Sequence, residues 1–273
     1  MSTWINGRSR TTIDHRDRGL QYGDGVFETM RVRHRRIRLL DYHMERLYEG
    51  CRRLKIAAPN QAMLRRELVS RAAERADAVL KLIVTRGIGP RGYRPSGQER
   101  CTRVISRHAL PGDRAGSMLE PKRVRMCDTR IGMNPALAGL KTLNRLESVV
   151  ARGEWRDVHV WEGLMRDVEG NVVCGTLSNF FIRRGSFLMT PMLDRCGIAG
   201  VMRRWVLEQA RSLGLRTLEG RLRWEEFGGA EEAFMTNAVA GIVSVAVIQQ
   251  GADRVEFKHG ETADRLRARL ELL

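Results

Sequence analysis

No run of apolar residues in this chain of 273 approaches the about twenty needed to span a bilayer, and the opening MSTWINGRSRTTIDHRDRG lacks the apolar stretch of a secretion signal. A soluble, cytoplasmic protein is the expectation, with no membrane among its partners. The five cysteines, Cys51, Cys101, Cys127, Cys174 and Cys196, are odd in number, scattered and never in a C-x-x-C spacing. That argues against a disulfide framework and against a zinc site, so no metal is expected. Absent as well are HExxH, GxSxG, the Walker A loop and the dinucleotide-binding glycine fingerprint, which leaves the commonest hydrolase and nucleotide-binding signatures unfilled. There is no internal repeat and no low-complexity segment.

Negative charge is also scarce. Asp and Glu number 32 against 48 Lys and Arg, a net charge of +16, with a pI near 10.8. Such a surplus is the electrostatic footprint of a nucleic-acid binder. Here it is carried by pairs spread from Arg35-Arg36 to Arg203-Arg204 rather than by one dense tail, and no RNP, KH, zinc-finger or helix-turn-helix signature accompanies it. A basic surface that draws in a small polyanionic substrate accounts for the charge as well, so no nucleic-acid partner is expected.

What is present is 42% hydrophobic, enough for a sizeable core or two modest domains. Asp24-Gly25 reads as a hairpin signal before the β-prone run Val26–Val32. Leu40, Met44, Leu47, Cys51 and Leu54 recur at helical spacing with Arg46 off the stripe, and a second helix follows Pro59-Asn60 with Leu64, Leu68 and Ala72 on one face. Val79–Thr85 reads as a buried strand that Arg103–Ser106 can pair. Leu110-Pro-Gly-Asp-Arg-Ala-Gly-Ser117 collects Pro, Gly and polar residues. It places a linker at 111–117 between an N-terminal α+β domain (1–110) and a C-terminal β-rich domain (118–273). In the latter, Leu140, Leu143, Leu146 and Val150 share the spacing of a helix with Lys141 near its start, an amphipathic helix runs from about Gly200 to Leu213, and strands fall at Ala233–Thr236 and Ile242–Val247. The cluster Arg86-Gly-Ile-Gly-Pro-Arg-Gly-Tyr93 is either a turn or a cradle for an anion. Lys141 taken alone reads as a snorkelling stem, and Cys174 as a small buried filler.

Taken in order, several stretches resemble the fold-type IV pyridoxal-phosphate enzymes. They are Trp4-Ile-Asn-Gly7, Arg18-Gly-Leu-Gln-Tyr-Gly-Asp-Gly-Val-Phe-Glu-Thr29, His43-Met-Glu-Arg-Leu47, the glycine cluster, Asn134-Pro-Ala-Leu-Ala-Gly-Leu-Lys-Thr-Leu-Asn-Arg-Leu-Glu147, Ser178-Asn-Phe-Phe181 and Gly197-Ile-Ala-Gly-Val-Met-Arg203. Within that family the glycine cluster and the Asn134–Glu147 run are most similar to the 4-amino-4-deoxychorismate lyases. The resemblance implies a two-domain α/β (α+β) fold like that of the D-amino acid aminotransferases, the C-terminal domain a pseudobarrel, with pyridoxal 5'-phosphate in the cleft between domains of a likewise implied homodimer. It implies conversion of 4-amino-4-deoxychorismate, a small dicarboxylate, to p-aminobenzoate and pyruvate in folate biosynthesis.

By the same resemblance Lys141 matches the Schiff-base lysine, a role that asks for a lowered amine pKa. Arg46 matches the arginine that grips the cofactor phosphate. Val201 and Met202 match the backbone donors of a phosphate cup at a helix start, with Asn237 and Ala238 closing it from the other side. Arg91 and Tyr93 are candidates for a substrate carboxylate. Cys174 is a departure: it stands where the family usually carries the glutamate that keeps the pyridine nitrogen protonated. A neutral thiol would hold that proton poorly, which suits an elimination driven by aromatisation better than a transamination. A D-amino-acid or branched-chain aminotransferase of the same fold is the alternative, and a basic nucleic-acid-binding protein without this chemistry is the remoter one.

Overall fold

A computed structural model describes residues 2–111 and 120–273; the expected linker falls, from residue 112 on, outside the described residues. The chain divides into two compact units, Met1–Gly112 with Leu140–Asn144, and Asp113–Gly139 with Arg145–Leu273. Each unit has its own sheet and its own helices, so the mixed α/β class read from the sequence is the one observed.

The first unit contains β1 (Ser2–Ile5), β2 (Arg8–Ser9), α1 (Arg18–Tyr22), β3 (Gly25–Arg33), β4 (Arg36–Ile37), α2 (Leu40–Arg53), α3 (Gln61–Ala73), β5 (Ala78–Thr85) and β6 (Thr102–His108). Its sheet runs β2-β1-β6-β5-β3-β4, with every neighbouring pair antiparallel. β3 alternates between buried and half-buried residues after Gly25, so Val26, Glu28, Met30 and Val32 share one face. α2 packs its stripe of Met44, Leu47 and Cys51 into the same core as Val26, Met30 and Val32. Gly50 permits the approach, since a Cβ there would meet Val26 Cγ1 at 2.9 Å. α3 starts where the Asn60 side chain accepts from Met63 N–H at 2.9 Å, and it buries Leu64, Leu68 and Ala72 as its spacing predicts. Each fully buried leucine of this core contributes about 2 kcal/mol.

Two local readings need correction. Asp24-Gly25 is not a hairpin turn: α1 precedes it, Gly23 ends that helix in the left-handed region at φ 65°, and Gly25 already begins β3. Asp24 instead receives Arg18 and Arg86. The helix drawn through Leu140 and Leu143 does not exist there. Thr142 forms an antiparallel bridge with Val26, Phe27 N–H donates to the Lys141 carbonyl at 3.0 Å, and Leu143 N–H donates to the Gly25 carbonyl at 3.0 Å. The open edge of β3 takes the hydrogen bonds that a helix would have used, and pairing overrides the 3.6-residue spacing.

The second unit contains β7 (Lys122–Ile131), α4 (Leu146–Arg152), β8 (Val160–Asp167), β9 (Val172–Gly175), β10 (Asn179–Arg184), β11 (Phe187–Pro191), α5 (Val201–Ala210), β12 (Arg216–Gly220), β13 (Glu232–Asn237), β14 (Gly241–Gln250), β15 (Asp253–Glu256) and α6 (Glu261–Leu270). Its nine-stranded sheet runs β12-β11-β10-β13-β14-β7-β8-β9, with β15 paired to β14. Phe180, Phe227 and Met235 lie in its main core, and Phe181 stacks on Phe234 at 5.0 Å. No helix among the described residues is long and apolar enough to cross a membrane, and no group of His, Cys, Asp and Glu among them is placed to hold a metal.

Candidate active site

In the first unit the chain around Lys141 is an added edge of the sheet. Because Thr142 sits opposite Val26, Lys141 lies beside Phe27, on the face opposite Glu28. Its Nζ stands 4.3 Å from the centroid of the Phe27 ring, so the ammonium lies against an aromatic face.

Behind β3, on the α2 face, lies a cluster that the sequence reading did not identify. Glu28 and His43 are each 1% exposed. His43 Nδ1 is 2.6 Å from Glu28 Oε2, while Arg46 donates from Nε to Oε1 at 2.8 Å and from Nη2 to Oε2 at 2.5 Å. Burial opposes ionisation of Glu28, but the charge of Arg46, then His43 and their hydrogen bonds, outweigh it and hold the carboxyl down at about 2. Burial pulls His43 below its ordinary value despite Glu28, aided by the charges of Arg46 and Lys141, so the imidazole is neutral at pH 7 and donates through Nδ1. Arg46 thus makes a bidentate contact, and its partner is the Glu28 carboxylate. A signal was available in the sequence: His43 and Arg46 are three apart on one helix, and Glu28 is the only acid in the β3 run.

A second charged cluster shapes the glycine loop. Arg18, 2% exposed, donates from Nε to Asp24 at 3.0 Å and from Nη1 and Nη2 to the carbonyls of Gly92 and Tyr93, each at 2.8 Å. Arg86 grips Asp24 from the other side at 2.7 Å. Gly92 N–H donates to the Tyr22 hydroxyl at 3.0 Å, and the rings of Tyr22 and Tyr93 meet edge-on at 5.6 Å. The loop backbone is thus clamped, while Arg91 is exposed and Tyr93 is 87% exposed.

The second unit supplies neutral donors. Gly200 precedes α5 without any side-chain cap hydrogen bond, so the first-turn N–H groups, Val201 and Met202 among them, have no side chain answering them. A Cβ at Gly200 would come within 2.0 Å of Asn179 Oδ1, and Asn179 Nδ2 donates to the Ile198 carbonyl at 2.9 Å. Across the sheet Asn179 faces Thr236, whose hydroxyl is buried at 1% exposure and has no hydrogen-bond partner. Glycine at the helix start, uncapped donors and an orphaned buried hydroxyl beside them fit an anion such as a phosphate. Thr236 was missed because a threonine in a strand reads as packing. Asn237 spends its Oδ1 on the N–H groups of Val239 and Ala240, at 3.0 and 2.7 Å, which shapes the turn carrying Ala238.

Cys174 lies in β9 and is 9% exposed. Burial first and Cys196 next push its thiol up to about 12, against the pull of Arg145 and of a hydrogen bond from Ile198 N–H, so it is neutral. Ile198 belongs to the stretch paired with Gly139, two residues before Lys141: Gly139 N–H donates to the Gly197 carbonyl and Ala199 N–H to the Gly139 carbonyl, both at 3.0 Å. The neighbouring acid is Glu162, whose carboxyl is raised by burial against hydrogen bonds from Thr176, Gly163, Ser178 and Leu177. Those bonds, 2.6 Å from the Thr176 hydroxyl and 2.9 Å from Ser178, commit it to the turn after β9. Asp167 likewise serves its own turn through Glu169, Gly170 and Asn171.

Comparison with known proteins places these features in a lineage. The profile of the amino-transferase class IV family matches residues 25–248. An aminodeoxychorismate lyase of Vibrio harveyi is 31% identical over 98% of each chain. The crystal structure of 4-amino-4-deoxychorismate lyase from Pseudomonas aeruginosa superposes with a TM-score of 0.92 at 42% identity, covering 98% of each chain. A putative branched-chain-amino-acid aminotransferase of Methanocaldococcus jannaschii is 30% identical over 90% of this chain and 87% of its own.

Proposed function

The chain belongs to the amino-transferase class IV family, and we propose that it acts as an aminodeoxychorismate lyase with pyridoxal 5'-phosphate as cofactor. The observation that carries the reading is the full-length similarity to lyases of that name, at 31% and 42% identity. The reaction splits 4-amino-4-deoxychorismate into p-aminobenzoate and pyruvate, with no atom gained or lost. It belongs to folate biosynthesis, and aromatisation of the ring drives it.

Bound pyridoxal phosphate supplies an electron sink for a proton leaving the carbon that bears the amino group. Lys141 is the Schiff-base residue of this reading, and its Nζ, held over the Phe27 ring, takes and returns that proton. Arg46 would grip the cofactor phosphate. The N–H groups of Val201 and Met202 and the turn at Asn237-Ala238 would form the phosphate cup, an assignment that the orphaned Thr236 hydroxyl and the uncapped α5 support. Cys174 would lie at the ring nitrogen of the bound cofactor, offering it a neutral thiol, while Glu162 and Asp167 are committed to their own turns. It biases the enzyme toward elimination, and Cys174→Glu raises transamination relative to lyase activity. Arg91 and Tyr93 of the clamped loop contact a substrate carboxylate. The protein works in the cytoplasm as a homodimer. Exposed Leu146, Val149 and Val150 of α4, at 78, 63 and 60%, offer an apolar face for a second copy to cover.

The test is a Lys141→Ala variant beside the wild type. Wild-type protein should be yellow and release p-aminobenzoate and pyruvate in equal amounts from aminodeoxychorismate. The variant should lose the visible band and about 10³-fold or more of the rate. A colourless wild type, or one that yields no p-aminobenzoate, would sink the reading.

A further inference from the structure

We propose that Glu28 and His43 are positioning residues for Arg46, a buried relay that fixes the guanidinium in advance for the phosphate of the cofactor. The inference rests on the reading of Arg46 as a phosphate ligand and names the groups that make it one.

An arginine side chain is long and flexible, and an anion that had to immobilise it on binding would lose affinity to that ordering. Here the ordering precedes the ligand. Nε and Nη2 of Arg46 are tied to the two oxygens of Glu28, which fixes the plane of the guanidinium and hence the direction of its other edge. Glu28 cannot swing away, because it projects from the paired centre of β3, opposite Leu82 of β5, and its Oε2 is also held by His43. His43 comes from α2 one turn before Arg46, so helix and strand are tied through a single carboxylate. A neutral imidazole is suited to that place, since it donates to the carboxylate without competing with Arg46 for charge. A packing role alone would not need three polar groups in a site where Glu28 and His43 are 1% exposed.

A contrary expectation is available. A carboxylate against an anion-binding arginine cancels its charge, and on charge alone its removal would strengthen phosphate binding. The two accounts therefore predict opposite signs.

The experiment measures dissociation constants of pyridoxal phosphate and of pyridoxal, which lacks the phosphate, by equilibrium dialysis of the full chain freed of cofactor. Their ratio, the pyridoxal constant divided by the pyridoxal phosphate constant, reports the phosphate contact alone. With Glu28→Gln the ratio should fall about tenfold or more while pyridoxal affinity stays within about twofold; His43→Gln should lower it about threefold. A ratio that is unchanged or increased in Glu28→Gln, or a parallel loss for both ligands, overturns the inference. Should Glu28→Gln not fold, His43→Gln carries the test, and an unchanged ratio there overturns it. Arg46→Ala separates the two levels: if it leaves the ratio intact, the phosphate reading of Arg46 itself fails, whereas if it collapses the ratio and Glu28→Gln does not, only the relay fails.

Discussion

The two units contribute opposite kinds of chemistry. The first presents charges gripped by other polar side chains: Arg46 by Glu28, which His43 also holds, and Arg18 and Arg86 by Asp24. The second presents neutral donors: the N–H groups at the start of α5, the Thr236 hydroxyl and the Cys174 thiol. Charged groups depend on side-chain identity and on pH; backbone donors depend on the shape of the chain. Mutations should therefore act through different observables in the two halves.

The largest effect is expected where a buried charge loses its partner. Glu28 has its folded pKa depressed to about 2 from an ordinary glutamate value. The sign follows: its stabilisation is fully present above the unfolded pKa and is lost as pH falls through the folded one. The contribution is about 3 kcal/mol, and Glu28→Gln should flatten the fall in stability between about pH 4.5 and pH 2 by that amount, measured by urea denaturation across that range. A variant with the wild-type slope would detach the stability of the first unit from this carboxylate.

In the second unit shape should matter more than charge. Gly200→Val places a Cβ against Asn179 and should cost about 2 kcal/mol together with much of the cofactor affinity. Val201→Ala, which keeps the N–H, should change cofactor affinity by no more than about twofold. Equal losses in the two variants would erase the distinction between backbone and side-chain recognition.

The smallest effect is expected at the exposed loop. Arg91→Ala should raise KM for aminodeoxychorismate about tenfold with an unchanged melting temperature. An unchanged KM removes Arg91 from the site.

The same contrast governs what the sequence made legible. α2, α3, β5 and the β13–β14 pair followed from spacing, because their apolar residues meet a local core. Lys141 was singled out by its motif, and its neighbourhood was misread as helix. Leu140, Leu143 and Leu146 keep a helical interval, and only the distant edge of β3 reveals that Lys141 and Thr142 are extended. Glu28 and His43 are fifteen residues apart on a strand and a helix, so no local pattern joins them. Thr236 is marked solely by the partner it lacks. Cys174 was noticed as a substitution, and the hydrogen bonds that Thr176 and Ser178 give to the neighbouring Glu162 could not be read from the sequence.

The most direct measurement sets elimination against transamination in one preparation of the wild-type protein. Release of p-aminobenzoate from aminodeoxychorismate is followed beside conversion of the cofactor to its amine form by D-alanine or a branched-chain amino acid. Rapid p-aminobenzoate release with negligible amine form is the predicted result. Transamination as fast as the lyase reaction, with Cys174 in place, would contradict the account.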